Sequence, residues 1–191
     1  KEPPPIAKNE AKAQKPEEGH SWAYNGDRGP ASWGNLCSSG KYQSPINLSW
    51  KAPQKGRTLG FQYGKAKPTL IDNGHTIQLD FGPGHWVTIG KQKYNLVQLH
   101  WHAEAEHQVG GKRYPLEMHL VHKNEQGNLA VVGVLFKVGE SNPFLDQVWK
   151  NWPSEKDQKI SFKEDIDLKK LVPSKQTYYH YMGSLTTPPC S

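Results

Sequence analysis

Two short runs carry side chains that could hold a metal ion: Gln98-Leu99-His100-Trp101-His102 and Leu116-Glu117-Met118-His119-Leu120-Val121. In an extended strand alternate side chains share a face, so Gln98, His100 and His102 point one way. By the same rule Glu117, His119 and Val121 share a face of the second run. The Gly110-Gly111 turn between the runs predicts antiparallel neighbours, on which three imidazoles converge. Three protein ligands with an open fourth position are what a catalytic zinc site requires. Gln98 and Glu117 each lie two residues before a histidine on the ligand face. There they can accept the second ring N–H and fix its tautomer. The plain alternative is a histidine-rich surface, since the chain has nine histidines and an i,i+2 pair arises readily by chance. Other chemistries do not fit. His102–His107 (HAEAEH) is not a zinc-protease signature, and two isolated cysteines are too few for a thiolate site. There is no Gly-rich phosphate loop, and no nucleophile elbow surrounds Ser184.

The elements that must position these residues read as strands and turns. Strands are predicted at Leu59–Tyr63, Thr69–Ile71, Thr76–Phe81, Trp86–Ile89, Tyr94–Ala103, Tyr114–Lys123 and Leu129–Val138. Turn signals at Asp72-Asn73-Gly74, Gly82-Pro83-Gly84, Gly110-Gly111 and 124–128 separate them. One helix is predicted over Asn142–Trp152. Pro143 suits its first position, and Phe144, Val148 and Trp152 fall on one face. Short connections imply a largely antiparallel sheet.

The whole chain sets the bounds. It has 191 residues, 35% hydrophobic and 10% aromatic, with 18 Gly, 15 Pro and a formal charge of +6. That predicts one β-rich globular domain over residues 20–191, preceded by a Pro/Lys/Glu tail over 1–19 that cannot pack, a short helix at Ala7–Lys15 being its alternative. Mean hydropathy is -0.81, and the longest apolar stretch, Leu129–Val138, is strand-sized, so no membrane-spanning helix is expected. A pI near 9.2 raises polyanion binding. Only Arg28, Arg57 and Arg113 are arginines, however, and the lysines alternate with acids, as in Lys163–Lys170, so no nucleic-acid partner is expected. Cys37 and Cys190 are compatible with a disulfide and an oxidising compartment. The chain starts at Lys1 with no visible signal peptide, which fits a processed export product.

Taken together and in order, several motifs make the sequence resemble an α-class carbonic anhydrase, more closely the bacterial members. They are Gln43-Ser44-Pro45-Ile46-Asn47, Asn73-Gly74-His75, Gln98–His102, Glu106-His107, Glu117–His122 and Gly183-Ser184-Leu185-Thr186-Thr187-Pro188-Pro189-Cys190. The resemblance runs from about Trp22 to Cys190. It implies a central, twisted, mostly antiparallel β-sheet with short peripheral helices. The implied activity is reversible hydration of carbon dioxide to bicarbonate and a proton by zinc-bound hydroxide, with a weak esterase side activity. His100 and His102 (through Nε2) and His119 (through Nδ1) match the zinc ligands, with Gln98 and Glu117 behind His100 and His119. Thr186 matches the gatekeeper hydroxyl and Glu106 the carboxylate that orients it. His75 matches the proton shuttle. Val121, Val131 and Leu185 match the apolar substrate wall, and Tyr24 and Thr187 the solvent network. Cys37 and Cys190 match a disulfide, and Ser44-Pro45 and Pro188-Pro189 are candidates for cis bonds.

The resemblance also implies small-molecule partners only: carbon dioxide, bicarbonate, and sulfonamide and anion inhibitors. The expected location is the periplasm or the exterior. Relatives continue past the position of Ser191, where further chain supplies a tryptophan to the pocket wall and a carbonyl to His102. A chain ending at Ser191 is expected to expose a sheet edge, favouring self-association or an exchanged C-terminal segment. A zinc-binding but catalytically impaired binding module is the alternative function.

Overall fold

A computed structural model describes residues 22–49, 57–174 and 177–191. The expected tail over 1–19 lies outside the described residues. Thirteen strands appear among the described residues: β1 Asn47–Leu48, β2 Leu59–Gln62, β3 Lys65–Ala66, β4 Thr69–Asp72, β5 Ile77–Asp80, β6 Trp86–Ile89, β7 Gln92–His102, β8 Gln108–Val109, β9 Lys112–Arg113, β10 Leu116–Lys123, β11 Leu129–Phe136, β12 Lys159–Ser161 and β13 Ile166–Asp167. The α-helices are short, α1 Leu36–Ser39 and α2 Pro143–Trp149, with three 3-10 turns. The main sheet has eight strands in the order β11-β10-β7-β5-β4-β12, with β6 also on β7 and β2 on β6, all antiparallel. The parallel pair is β1–β8, in a three-stranded sheet at one side.

The core packs on the sheet face away from the imidazoles. Leu99 and Trp101 of β7, Met118 and Leu120 of β10, and Leu70 and Leu79 of β4 and β5 join Phe144 and Val148 of α2 there. β10 is central and buried on both faces over Glu117–His122. Above Gln98 the alternation in β7 is strict, yet Leu96 and Leu99, three apart, both enter the core. A bulge reconciles them: Val121 pairs with Gln98, but His122 pairs with Leu96, leaving Val97 extra. An extra residue in one strand resets which face its neighbours occupy. Upstream apolar residues and the downstream Gln98, His100 and His102 therefore each reach one consistent face.

Two boundaries differ from expectation for identifiable reasons. The helix stops at Trp149, because Pro153 disfavours the helical region at Trp152, so Trp152 is 55% exposed instead of sharing the buried face of Phe144 and Val148. It packs edge-on against Trp149. The start of α2 is as read: Pro143 is its first residue, and Asn142 Oδ1 accepts the N–H groups of Phe144 and Leu145. β10 begins at Leu116, after Pro115, which has no N–H to give the ladder. Ser44-Pro45 and Pro188-Pro189 are cis as expected, and Ala103-Glu104 is a third cis bond.

One buried polar pair ties the far end of β10 to the loop after β2. The Tyr63 hydroxyl lies 2.6 Å from His122 Nε2, while His122 Nδ1 donates to the Ala130 carbonyl at 3.2 Å. His122 is fully buried, and burial holds its imidazole down to about 4. An unfolded histidine takes its proton near 6.5, whereas this one waits until about 4, so folding stability falls as pH drops through that window. Urea unfolding at pH 7 and pH 5 should show the native chain losing about 2 kcal/mol more than the His122→Gln variant. Equal losses would contradict this assignment.

Candidate active site

The register of β7 and β10 builds the site. His119 stands opposite His100, Glu117 opposite His102 and Val121 opposite Gln98. Directly opposed residues share a face, so all six side chains project from the same side of the sheet. One ring nitrogen from each of His100, His102 and His119 lies within 4.8 Å of the others. The ring centroids are 4.7 to 5.3 Å apart.

Two of the three rings are hydrogen-bonded from behind. Gln98 Oε1 accepts from His100 Nδ1 at 2.8 Å, so the lone pair sits on Nε2. Glu117 Oε1 accepts from His119 Nε2 at 2.8 Å, so the lone pair sits on Nδ1. His102 Nδ1 lies 3.5 Å from Glu106 Oε1, and its Nε2 is buried with no hydrogen-bond partner. Burial and neighbouring imidazoles lower His100 to about 4 and His102 to about 3, so both rings are neutral at pH 7. Neutral imidazoles with inward lone pairs, one of them an orphaned buried nitrogen, fit a divalent metal of the zinc type.

Glu117 needs more than His119 to be tolerated at 1% exposure. Burial alone would raise its carboxyl, but hydrogen bonds from His107 and His119 hold it well below the usual carboxylate range. His107 supplies both its backbone N–H (2.9 Å) and its Nδ1 (2.7 Å). The chain continues from His107 Nε2 to the Tyr181 hydroxyl (2.5 Å) and from there to Ser44 Oγ (2.7 Å), which accepts the Ser184 N–H (3.1 Å). Donors thus run from Ser44 through Tyr181 and His107 to the carboxylate, each polarising the next. His107, Glu117 and His119 also meet a geometric criterion for a metal cluster. Two of their nitrogens already donate to one Glu117 oxygen, so this group is a hydrogen-bond network. Gly133 of β11 faces His119 across the ladder, and a Cβ there would stand 3.0 Å from Glu117 Oε1. The glycine leaves the carboxylate its space.

The other expected residues fall on β10 and β11, on the C-terminal loop and on the segments around Tyr24 and His75. Val121 pairs directly with Val131 on the imidazole face; Val121 is buried and Val131 is 44% exposed. Leu185, Thr186 and Thr187 are half-buried on the loop that the Cys37–Cys190 disulfide closes, with the Cys190 N–H on the Thr187 carbonyl. Burial raises Glu106, and hydrogen bonding from Thr186 opposes it. Closing a loop longer than 100 residues is worth on the order of 4.7 kcal/mol in the chain-entropy account, and this link spans 153 residues. His75 stands apart, exposed at the rim on the Asn73 turn. Asn73 Oδ1 accepts the His75 and Thr76 N–H groups. Its ring stacks on Trp22, with centroids 3.9 Å apart. Tyr24 lies between rim and centre, its ring 6.5 Å from both His75 and His102. Burial raises the Tyr24 hydroxyl to about 12, so it stays neutral.

The roles of His107, Tyr181, Ser44 and Trp22 were not read from the sequence. His107, Ser44 and Ser184 sit inside the Glu106-His107, Gln43–Asn47 and Gly183–Cys190 motifs, the signal that points to them.

Comparison with known proteins decides the family. A family profile for eukaryotic-type carbonic anhydrase matches residues 28–191. The chain belongs to the α-class carbonic anhydrase family. A carbonic anhydrase of Pectobacterium carotovorum is 39% identical over 178 residues, covering 89% of this chain and 72% of the relative. The α-carbonic anhydrase of Thermovibrio ammonificans, solved with sulfanilamide, superposes with a TM-score of 0.87 at 41% identity, over 91% of this chain and 80% of that one. A carbonic anhydrase of Chlamydomonas reinhardtii solved with acetazolamide gives 0.79 at 38% identity, over 90% and 78%. These matches make the chain a carbonic anhydrase by kinship, and carbon dioxide hydration the activity of its family.

Proposed function

We propose that the chain hydrates carbon dioxide reversibly at a zinc ion held by His100 Nε2, His102 Nε2 and His119 Nδ1. The observation that carries this is the convergence of three inward ring nitrogens, two with their outer nitrogens bonded to Gln98 and Glu117. When bound, zinc supplies a Lewis acid that brings the pKa of its water to about 7.

This chain's own residues do the rest. Three neutral imidazoles leave the metal's charge uncompensated. Thr186 donates a hydrogen bond from its hydroxyl to Glu106 and so can only accept at its oxygen from the reacting water, aiming that water's free lone pair at the substrate. Val121, Val131 and Leu185 offer an apolar wall to a substrate that has no need of hydrogen bonds. Tyr24 and Thr187 order solvent between centre and rim. His75 takes the product proton to the rim, because an imidazole can both accept and release at neutral pH.

Small anions and sulfonamides, the class named in the complexes of the two solved relatives, are the expected inhibitors. The Cys37–Cys190 disulfide supports an oxidising location, periplasmic or extracellular. Among the described residues no helix is long and apolar enough to cross a membrane.

Chelation should abolish hydration, and one equivalent of zinc per chain should restore it in a stopped-flow assay. Activity that survives complete metal removal would overturn the proposal.

A further inference from the structure

The turn that carries His75 is met from outside by a second loop. The segment between α2 and β12 folds back so that the Asp157 N–H donates to the Asp72 carbonyl at 2.7 Å, next to the β4–β12 ladder that pairs Lys159 with Ile71. Asp157 adopts φ +64, and this left-handed step turns the chain towards β12. Lys156, just before it, lays its stem across Gly74. A Cβ at Gly74 would stand 2.5 Å from Lys156 Cε, 3.1 Å from Nζ and 3.2 Å from Cδ. Gly74 also has φ +79, which disfavours any side chain there, and a Cβ would in addition displace the Lys156 stem.

An exposed lysine folded over a glycine, rather than extended into water, gives up rotamer freedom. What it covers is the peptide that sets the direction of His75. The Asn73 carboxamide fixes the inner side of this turn and Trp22 lies against the imidazole. Asp72 Oδ1 accepts the Gly74 N–H at 2.8 Å, and the Lys156 stem lies over the same glycine.

We propose that Lys156 is a positioning residue for His75: its alkyl stem, seated in the space left by Gly74, braces the shuttle turn. This rests on the assignment of His75 as proton shuttle. A proton relay is steep in distance, so a loosened turn slows proton export while carbon dioxide interconversion at the metal is untouched.

Oxygen-18 exchange between carbon dioxide and water reads the two steps separately, in zinc-loaded full chain without added buffer. Lys156→Ala should slow release of labelled water roughly tenfold while interconversion stays at the native rate. Lys156→Met, which keeps an unbranched stem and drops the charge, should retain native release. Added imidazole should bring Lys156→Ala back to the native rate, which a general structural defect would not allow. In the His75→Ala background, Lys156→Ala should have no further effect.

Native release in Lys156→Ala, alongside slowed release in His75→Ala, would overturn the brace and leave the shuttle standing. Loss in Lys156→Met equal to that in Lys156→Ala would overturn positioning by the stem. Unchanged release in His75→Ala would remove the shuttle and this proposal together.

Discussion

His119→Ala should leave the chain folded, bind no stoichiometric zinc, and hydrate carbon dioxide only at the uncatalysed background. The variant loses the one lone pair presented from β10, and two imidazoles on β7 cannot complete a three-ligand site. The fold should tolerate the change, because Glu117 keeps both donors from His107, at 2.9 and 2.7 Å. The vacated space adjoins the polar pocket, where water can replace the ring. Metal analysis of the purified variant, with circular dichroism to confirm the fold, checks the result. One equivalent of zinc retained in His119→Ala would refute the ligand assignment.

Glu117→Gln should weaken zinc binding about 10- to 100-fold and lower stability as well. The native carboxylate accepts three N–H donors: His107 Nδ1 and His119 Nε2 on Oε1, and the His107 backbone on Oε2. A carboxamide has one acceptor oxygen and two N–H groups, so it cannot satisfy that set. Where the amide N–H meets His119, the imidazole must accept there, which moves its own proton to Nδ1 and removes the metal's lone pair. Hydrogen bonds to a charged group are worth roughly 1.5–3 kcal/mol each, so urea unfolding of the metal-free variant should show a loss of that order. Chelator competition gives the zinc affinity directly. Native affinity in Glu117→Gln would mean that Glu117 does not set the His119 tautomer.

The centre of the site was legible in the sequence because strand alternation is strict where it matters. Gln98, His100 and His102, then Glu117 and His119, follow period two, and the two runs pair antiparallel as expected, although Gly110-Gly111 itself turns the β8–β9 hairpin inside their connection. Seven strand positions and the capped start of α2 were legible for the same local reasons. The rest depended on long-range contacts. The bulge at Val97 is hinted at by the odd spacing of Leu96 and Leu99, but only pairing with β10 shows which residue is extra. The Ser44–Tyr181–His107 relay joins residues 137 and 74 positions apart, and no periodicity connects them. Pieces such as β1, β8 and β9 have two residues each and exist only through their partners. Lys156 reads as one more solvated lysine until Gly74 is seen beneath it.

The reading of a metal-binding but impaired module finds no support in the site, where the His100, His102 and His119 ring nitrogens lie close together and Gln98 and Glu117 are bonded to two of the rings. The most direct measurement is stopped-flow hydration of carbon dioxide by the zinc-loaded 191-residue chain, with and without a zinc-binding sulfonamide. Turnover well above background, abolished by a stoichiometric amount of sulfonamide, is the result expected of three imidazoles holding a catalytic metal with an open fourth position. A chain with one equivalent of zinc bound and no sulfonamide-sensitive turnover would contradict it.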